Sequence, residues 1–177
     1  ESQKTYPTLE KWRILCTLGR GVVSKHNLLY FNRILPYYRV KRAVNLSTGL
    51  EAAIKLYRFT KVDGAYKFPK RVLKDGALTD IWIDREVILE NLRQEAAIID
   101  VLQKKKNPHI IQIYEFHEST TYHKRNGRKI EVTAIVMELA RGGELIDYLN
   151  KNDKLSHSFV RHYFLQFISG ILYFLEQ

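Results

Sequence analysis

The sequence is short of several residue types that mark particular classes of protein. It contains one cysteine, Cys16, among 177 residues, which excludes an internal disulfide and any zinc site built from several cysteines. So little cysteine suits a reducing compartment, and we expect an intracellular, cytoplasmic location. No run of about 18 uncharged apolar residues occurs, and charged residues interrupt the N-terminal segment. The sequence therefore predicts neither a membrane span nor a secretory signal peptide.

Acidic residues are also scarce relative to basic ones. The chain has 29 Lys and Arg against 19 Asp and Glu, a formal net charge of +10. Such a charge can indicate a nucleic-acid partner, and residues 25–42 combine basic and aromatic side chains without an acidic one. Binding there would depend on Arg33, Arg39 and Arg42. Runs of charge are more often solvated loops, so no nucleic acid is expected as a partner.

The residues that are present predict a packed core of mixed secondary structure. Hydrophobic residues make up 45% of the chain and aromatic residues 12%. Apolar side chains alternate along 12–18, which predicts a strand, and apolar positions recur at helical spacing over 84–105, which predicts one long helix. Together these segments predict an α+β fold with a five-stranded antiparallel sheet. The other four strands are expected at 38–44, 52–57, 110–116 and 131–139.

The hydrophobic period changes after Arg141-Gly142-Gly143. Residues 144–150 suit a short helix, and from Ser156 onward apolar residues recur at helical spacing up to Leu175. So broad an apolar stripe has to pack against something large. The pattern predicts the first helices of a second, helical unit, cut short at Gln177.

Two charged residues and a pair of glycines are candidates for chemistry. Lys55 stands in the apolar strand, and an unpaired buried ammonium is costly, so it needs a partner such as Glu95 on the long helix. The alternative is a structural ion pair. Gly19 and Gly21 follow the first strand, where glycine lets backbone N–H groups approach a phosphate closely.

The order of these motifs resembles the protein kinase family over most of residues 12–177. The resemblance implies a kinase-like N-lobe at 11–140, preceded by a tail at 1–10 and followed at 141–177 by the start of the C-lobe. Within it, the phrases around Gly19 and Gly143 look most like the calmodulin-dependent kinases and the phosphorylase kinase catalytic subunit. The matching motifs are Leu18-Gly19-Arg20-Gly21-Val22, Ala53-Ile54-Lys55, Glu95, Pro108-His109-Ile110-Ile111, Val136-Met137-Glu138 and Gly142-Gly143-Glu144-Leu145.

By this resemblance, the complete protein is expected to be a serine/threonine protein kinase that transfers the γ-phosphate of ATP, with Mg²⁺, to hydroxyl groups of a protein substrate. Lys55 would bind the α- and β-phosphates and Glu95 would hold Lys55 in place. The resemblance is also compatible with a calcium sensor or other regulatory subunit as a partner. The remaining residues expected around the nucleotide are Leu18, Gly19, Gly21, Ser24, Val40, Ala53, Met137, Glu138, Ala140 and Glu144.

The sequence departs from the kinase pattern in several places. Ser24 replaces the third glycine, residues 26–39 look inserted into the phosphate loop, and a long basic linker is expected at 58–82. No His-Arg-Asp or Asp-Phe-Gly segment occurs, so the usual Mg²⁺ ligands are missing and these residues alone are not expected to transfer phosphate. The alternative is a pseudokinase or scaffold that binds proteins and has an impaired nucleotide site.

Overall fold

The computed structural model describes residues 6–20, 38–74, 77–104, 107–143, 145–151 and 154–176. These residues form nine strands and three helices. The elements are β1 (Thr8–Leu9), β2 (Trp12–Arg20), β3 (Tyr38–Asn45), β4 (Glu51–Arg58), β5 (Thr60–Val62), β6 (Ala65–Lys74), β7 (Ala77–Asp84), α1 (Arg85–Gln103), β8 (Ile113–His123), β9 (Lys129–Glu138), α2 (Leu145–Lys151) and α3 (His157–Leu175).

Six of the strands close into a barrel in the order β1-β2-β3-β4-β9-β8, with antiparallel neighbours throughout. Successive side chains of a strand point to opposite faces, so each strand gives alternate residues to the interior and to the outer face. One apolar cluster draws on alternate positions of β4 and β9, and we take it as the barrel interior. Its buried members are Leu9, Trp12, Ile14, Ala43, Ala52, Ile54, Leu56, Val132, Ala134 and Val136.

The α+β class is confirmed, but the structure corrects the number of strands in the sheet. The five predicted strands correspond to β2, β3, β4, β8 and β9, and the sixth, β1, lies inside the predicted tail at 1–10. It pairs with both β2 and β8 and thereby closes the barrel, and its Leu9 is completely buried. Two residues are too few to show an alternating pattern, which is why the sequence did not reveal this strand.

The predicted basic linker at 58–82 is instead largely a three-stranded antiparallel sheet of β5, β6 and β7. Asp63 and Gly64 connect β5 to β6 with positive φ angles of 50° and 82°, as a two-residue hairpin turn requires. Phe68 and Ile83 from this sheet are buried in the cluster that includes helix α1. The density of basic residues suggested solvated chain, while the Asp-Gly turn signal pointed to a hairpin.

Helix α1 packs on the outer face of the barrel through one apolar stripe. Its buried residues Ile88, Leu89 and Leu92 follow the i, i+1, i+4 spacing of one helical face. The predicted helix at 84–105 is confirmed with slightly shorter bounds. The helix carries Glu95 on the side of β4, so this packing sets the distance between Glu95 and Lys55.

Helices α2 and α3 follow the barrel as the change of period predicts. The hydroxyl oxygen of Ser156 caps α3 by accepting a hydrogen bond from the backbone N–H of Phe159, at 3.2 Å. The phenol of Tyr173 donates to the carbonyl oxygen of Leu102 at 2.6 Å and so ties α3 to the end of α1. Much of the apolar stripe is exposed, including Phe167 at 63% and Leu175 at 72%. Within the described ranges, no helix is long and apolar enough to cross a bilayer.

Glu115 on β8 holds the start of the barrel in place, and this arrangement predicts a pH dependence. Its carboxylate lies 2.9 Å from the Lys11 ammonium and accepts from the Trp12 indole N–H at 3.2 Å, and His117 Nε2 lies 2.9 Å away. Partial burial acts to raise the pKa of Glu115, but hydrogen bonds from Lys11, His117 and Trp12 outweigh it, so the pKa is lowered.

A lowered folded-state pKa stabilises the fold above the unfolded pKa of about 4.3, and this stabilisation is lost as the pH falls through the folded value. We expect Glu115→Gln to lower the urea concentration at the midpoint of unfolding at pH 7. Between roughly pH 5 and pH 3, where the Glu115 carboxylate of the original protein takes up its proton, this midpoint should decrease less steeply in the variant. Glu176→Gln, at an exposed position beyond α3, is the control. An unchanged pH profile in Glu115→Gln would contradict this role.

Candidate nucleotide site on the outer face of the barrel

The residues predicted to contact adenine come together on the outer face of three neighbouring strands. Val40 on β3 pairs with Lys55 on β4, and Ala53 on β4 pairs with Met137 on β9. Val40, Ala53 and Met137 also share one apolar cluster. They are therefore separated from the barrel interior by the strands themselves, and with Lys55 they form a continuous outer surface, which we call the nucleotide face.

Lys55 and Glu95 meet beside this apolar surface. Lys55 Nζ lies 3.5 Å from Glu95 Oε1, and the two side chains are 25% and 42% exposed. The ammonium also lies 5.2 Å from the centroid of the Tyr38 ring, a distance at which a cation is attracted to the ring face. A partly exposed pair of this length contributes only about 0–1 kcal/mol to stability. The fold does not depend on the pair, and Lys55 retains exposed surface that a ligand can contact.

Two tyrosines next to Lys55 were not identified from the sequence. Tyr38 and Tyr57 form a cross-strand pair between β3 and β4, with ring centroids 5.6 Å apart. Burial and the nearby carboxylate of Glu95 raise the pKa of Tyr57 far above its ordinary value, so its phenol stays neutral. The Lys55 ammonium thus lies close to one carboxylate and to the ring of Tyr38, and the neutral phenol of Tyr57 belongs to the ring next to Tyr38. Because side chains alternate along a strand, Tyr38 shares the face of Val40 on β3 and Tyr57 shares the face of Lys55 on β4. The sequence spacing could therefore have predicted both positions.

The start of the predicted phosphate loop lies at the end of β2. Gly19 pairs with Val40, and nothing lies within 4 Å of the position that a Cβ atom on Gly19 would occupy. Packing in the described residues therefore does not require glycine there, whereas close approach of a ligand would. Leu18 is 48% exposed, so its side chain has surface available to a base. Gly21, Ser24 and Glu144, together with most of the predicted insertion at 26–39, lie outside the described residues.

The end of β9 provides the other edge of the nucleotide face. Met137 is buried, with 9% of its surface exposed, and pairs with Ile113 on β8. The backbone N–H of Glu138 donates to the carbonyl oxygen of Gln112 at 2.7 Å, and the Gln112 N–H donates back to the Glu138 carboxylate at 3.2 Å. The Glu138 N–H is thus already used within the protein. Ala140 lies two residues beyond and is exposed, so its backbone is accessible.

The described residues supply the surroundings of a nucleotide better than those of a metal ion. Their ranges hold no group of three or more His, Cys, Asp or Glu side chains close enough to bind a metal. Mg²⁺ prefers oxygen ligands in octahedral geometry and is usually held by one or two carboxylates together with substrate phosphates. Of the carboxylates described at the nucleotide face and its edge, Glu95 is paired with Lys55 and Glu138 accepts from the Gln112 N–H. The residues described here therefore fit ATP, while they offer no dedicated Mg²⁺ site.

Comparison with known proteins gives the family context of this geometry. No protein-family model matches the chain. The mouse (Mus musculus) NUAK family SNF1-like kinase 1 is 33% identical over 137 residues, which cover 77% of this chain and 16% of that protein. The human NUAK family SNF1-like kinase 2 is 32% identical over 163 residues, covering 92% of this chain and 18% of that protein. The SNF1-related protein kinase catalytic subunit alpha KIN12 of Arabidopsis thaliana is 28% identical over 172 residues, covering 97% of this chain and 25% of that protein.

The chain thus spans a quarter or less of the length of these relatives. The similarity to one of them extends over nearly all of the chain, including the strands and the helix that carry Lys55 and Glu95. The homologues of this chain are serine/threonine protein kinases, in agreement with the family that the order of its motifs predicts.

Proposed function

We propose that this chain forms the ATP-binding part of a serine/threonine protein kinase, which transfers the γ-phosphate of ATP to hydroxyl groups of a protein substrate. The observation that carries the proposal is the position of Lys55, next to Glu95 and at the edge of the apolar surface of Val40, Ala53 and Met137. A cation beside a flat apolar surface matches a ligand with an aromatic base at one end and phosphates at the other. The kinase homologues support the same assignment.

Each residue of the nucleotide face has a distinct task in this proposal. Val40 and Ala53 contact one side of the base, and the exposed Leu18 contacts the other. Met137 closes the inner end of the surface. Lys55 binds the phosphates, and Glu95 orients its ammonium. Catalysis of phosphoryl transfer depends mainly on such positioning and on charge stabilisation, and bound ATP supplies the phosphoryl group itself.

Gly19 completes the phosphate end of the site, because the absence of a side chain leaves room for phosphates near the β2 backbone. Gly21 and Ser24 are proposed to continue this cradle, and Glu144 to reach the ribose. With the Glu138 N–H donated to Gln112, the backbone of Ala140 becomes the main candidate to donate a hydrogen bond to the base.

The transfer step is proposed for the full-length protein. The 177 residues contain no His-Arg-Asp or Asp-Phe-Gly segment, which would provide the acceptor of the hydroxyl proton and the Mg²⁺ ligands. Within the family, the named relatives are SNF1-like and SNF1-related kinases, so we propose this subgroup in place of phosphorylase kinase. A calcium-sensor or regulatory partner rests on motif resemblance alone.

Nucleotide binding is the direct test of the proposal. Saturating Mg-ATP, at about one hundred times its Kd, adds about 2.7 kcal/mol to the stability of the form that binds it. For a chain of this size we expect the melting temperature to rise by roughly 5–10 °C. Absence of any shift at saturating nucleotide would overturn the proposed ATP site and favour a pseudokinase or scaffold function.

Replacement of Gly19 separates ligand approach from folding. The φ angle of Gly19 is outside the left-handed region and its surroundings are open, so Gly19→Val should leave the melting temperature of the free chain nearly unchanged. The added side chain lies where phosphates would approach, and we expect the affinity for Mg-ATP to fall about tenfold, equivalent to about 1.4 kcal/mol. Leu15→Val, at an exposed position of the same strand, is the control. Equal Mg-ATP affinity in both variants would show that phosphates do not approach Gly19.

A further inference from the structure

A cavity opens at one end of the barrel, and no residue of the nucleotide face lines it. Its volume is about 500 Å³, within the range typical of small-molecule sites. Arg39 and Lys41 line it from β3, while Val40 between them belongs to the nucleotide face. Because side chains alternate along a strand, this cavity, here called the barrel mouth, lies on the opposite side of β3 from the nucleotide face.

The rim of the barrel mouth is strongly basic. It includes Arg39, Lys41, Arg58, Lys124 and Arg125, and none of the described residues that line the cavity is acidic. Arg39, Arg58 and Lys124 make no ion pair with any residue of the described ranges. In contrast, many cations elsewhere in the described structure pair with a carboxylate, as Arg42 pairs with Glu51 and Arg93 with Glu118. Three of the five rim cations therefore have no carboxylate partner in the described part of the chain.

The effect of this crowding is visible at Lys124. Desolvation, followed by the charges of Arg58, Arg128 and Arg39, lowers the pKa of the Lys124 ammonium. These groups come from three different segments of the chain, namely β3, the end of β4 and the turn between β8 and β9. The fold thus brings mutually repelling cations together, and an anion between them would relieve the repulsion.

The inner part of the barrel mouth is apolar. Leu56, Tyr122, Ile130 and Val132 line it, and all four belong to the cluster of the barrel interior. The mouth of a small barrel can hold one small ligand where side chains do not fill the interior. A hydrated inorganic ion would leave this apolar floor without a partner, whereas a ligand with both an anionic group and an apolar body would contact the rim and the floor together.

We propose that the barrel mouth is a second ligand site, separate from the nucleotide face, for a small organic anion that combines an apolar body with a phosphate or similar group. The anionic group contacts Arg58, Lys124 and Arg39 at the rim, and the apolar body lies on Leu56 and its neighbours. The proposal also accounts for part of the basic run at 25–42. Arg39 belongs to the barrel mouth, while Arg42 is paired with Glu51 and lies on the other side of β3.

The test uses phenyl phosphate as the probe and the 177-residue chain, with binding followed by NMR titration. Benzyl alcohol tests the apolar body without charge, and inorganic phosphate tests the charge without the body. We expect saturable binding of phenyl phosphate that is about tenfold weaker in the double variant Arg58→Gln/Lys124→Gln, and weaker at higher salt. Arg128→Gln removes an exposed neighbouring charge that does not line the cavity, and its Kd should stay within about twofold of the original.

Further variants keep this test independent of the kinase proposal. Lys55→Met should leave the Kd of phenyl phosphate unchanged, whether or not the chain binds Mg-ATP. Should the double variant prove unstable, Lys124→Gln alone serves, since removing one of several repelling cations should not harm the fold. The proposal is overturned if phenyl phosphate does not bind saturably, or if either benzyl alcohol or inorganic phosphate binds as tightly. Equal Kd values in the double variant and Arg128→Gln, or binding that is lost in Lys55→Met, would overturn it as well.

Discussion

Replacing Lys55 by methionine is expected to lower the phosphotransfer activity of the full-length protein by about 10²- to 10³-fold, as loss of a single charge-stabilising group does in other active sites. In the proposed site the ammonium binds the phosphates, and methionine keeps roughly the length of the side chain but removes its charge. Activity is measured as the transfer of labelled phosphate to a protein substrate. Folding should change little, because the pair with Glu95 is partly exposed and 3.5 Å long.

Two further variants distinguish this role from that of a structural ion pair. Lys61→Met removes an exposed cation from β5, and its activity should match that of the original protein. Glu95→Gln should reduce activity less than Lys55→Met, since it removes the group that orients the ammonium and not the ammonium itself. If Lys55→Met and Glu95→Gln instead lowered the melting temperature equally and left the activity intact, the pair would be structural.

Replacing Phe68 by alanine is expected to destabilise the chain by about 3–5 kcal/mol, the usual cost of removing a buried phenyl group from a core. Phe68 is completely buried and lies edge-on to Phe59, with ring centroids 5.8 Å apart. It shares an apolar cluster with Ile88 and Leu92 of α1. For a chain of this size the melting temperature should fall by roughly 6–20 °C, which circular dichroism can follow.

The control for this variant lies two residues away. Tyr66 is on the same strand but is 42% exposed, so Tyr66→Ala should cost no more than about 0.5 kcal/mol. A similarly small loss of stability in Phe68→Ala would mean that the sheet of β5, β6 and β7 contributes little to the stability of the fold, as expected of a linker. If Phe68→Ala loses the larger amount of stability, the sheet holds α1 in place and thereby helps to position Glu95.

The sequence predicted those parts of the fold whose signal is local. Alternation over 12–18 identified β2, the apolar run at 131–139 identified β9, and the spacing of Ile88 and Leu92 identified α1, because these patterns extend over several residues. Strand β1 is too short to repeat any pattern, and the pairing with β8 by which it closes the barrel joins residues more than a hundred positions apart. Closure of a barrel is a long-range property, which a local pattern does not contain.

The candidate site shows the same division. Lys55 was identifiable because a lysine in an apolar strand needs an explanation, and the structure brings Glu95 to it across 40 positions. Tyr38 and Tyr57 were missed because tyrosine in a strand is unremarkable until the register shows which residue it faces. The barrel mouth could not be predicted, since its cations come from β3, the end of β4 and the turn between β8 and β9, which only the closed barrel brings together.

Because β3 and β4 serve two different surfaces with alternate residues, their lengths are constrained in an unusual way. Deleting or adding a single residue within β4 would reverse the direction of every side chain that follows the change in this strand. Lys55 would then point to the barrel interior, or Leu56 to the nucleotide face. A change of two residues would preserve both sets. During evolution these two strands should therefore tolerate substitutions and paired insertions, while single-residue insertions should accumulate in the connecting turns, such as the one at Asn45–Gly49.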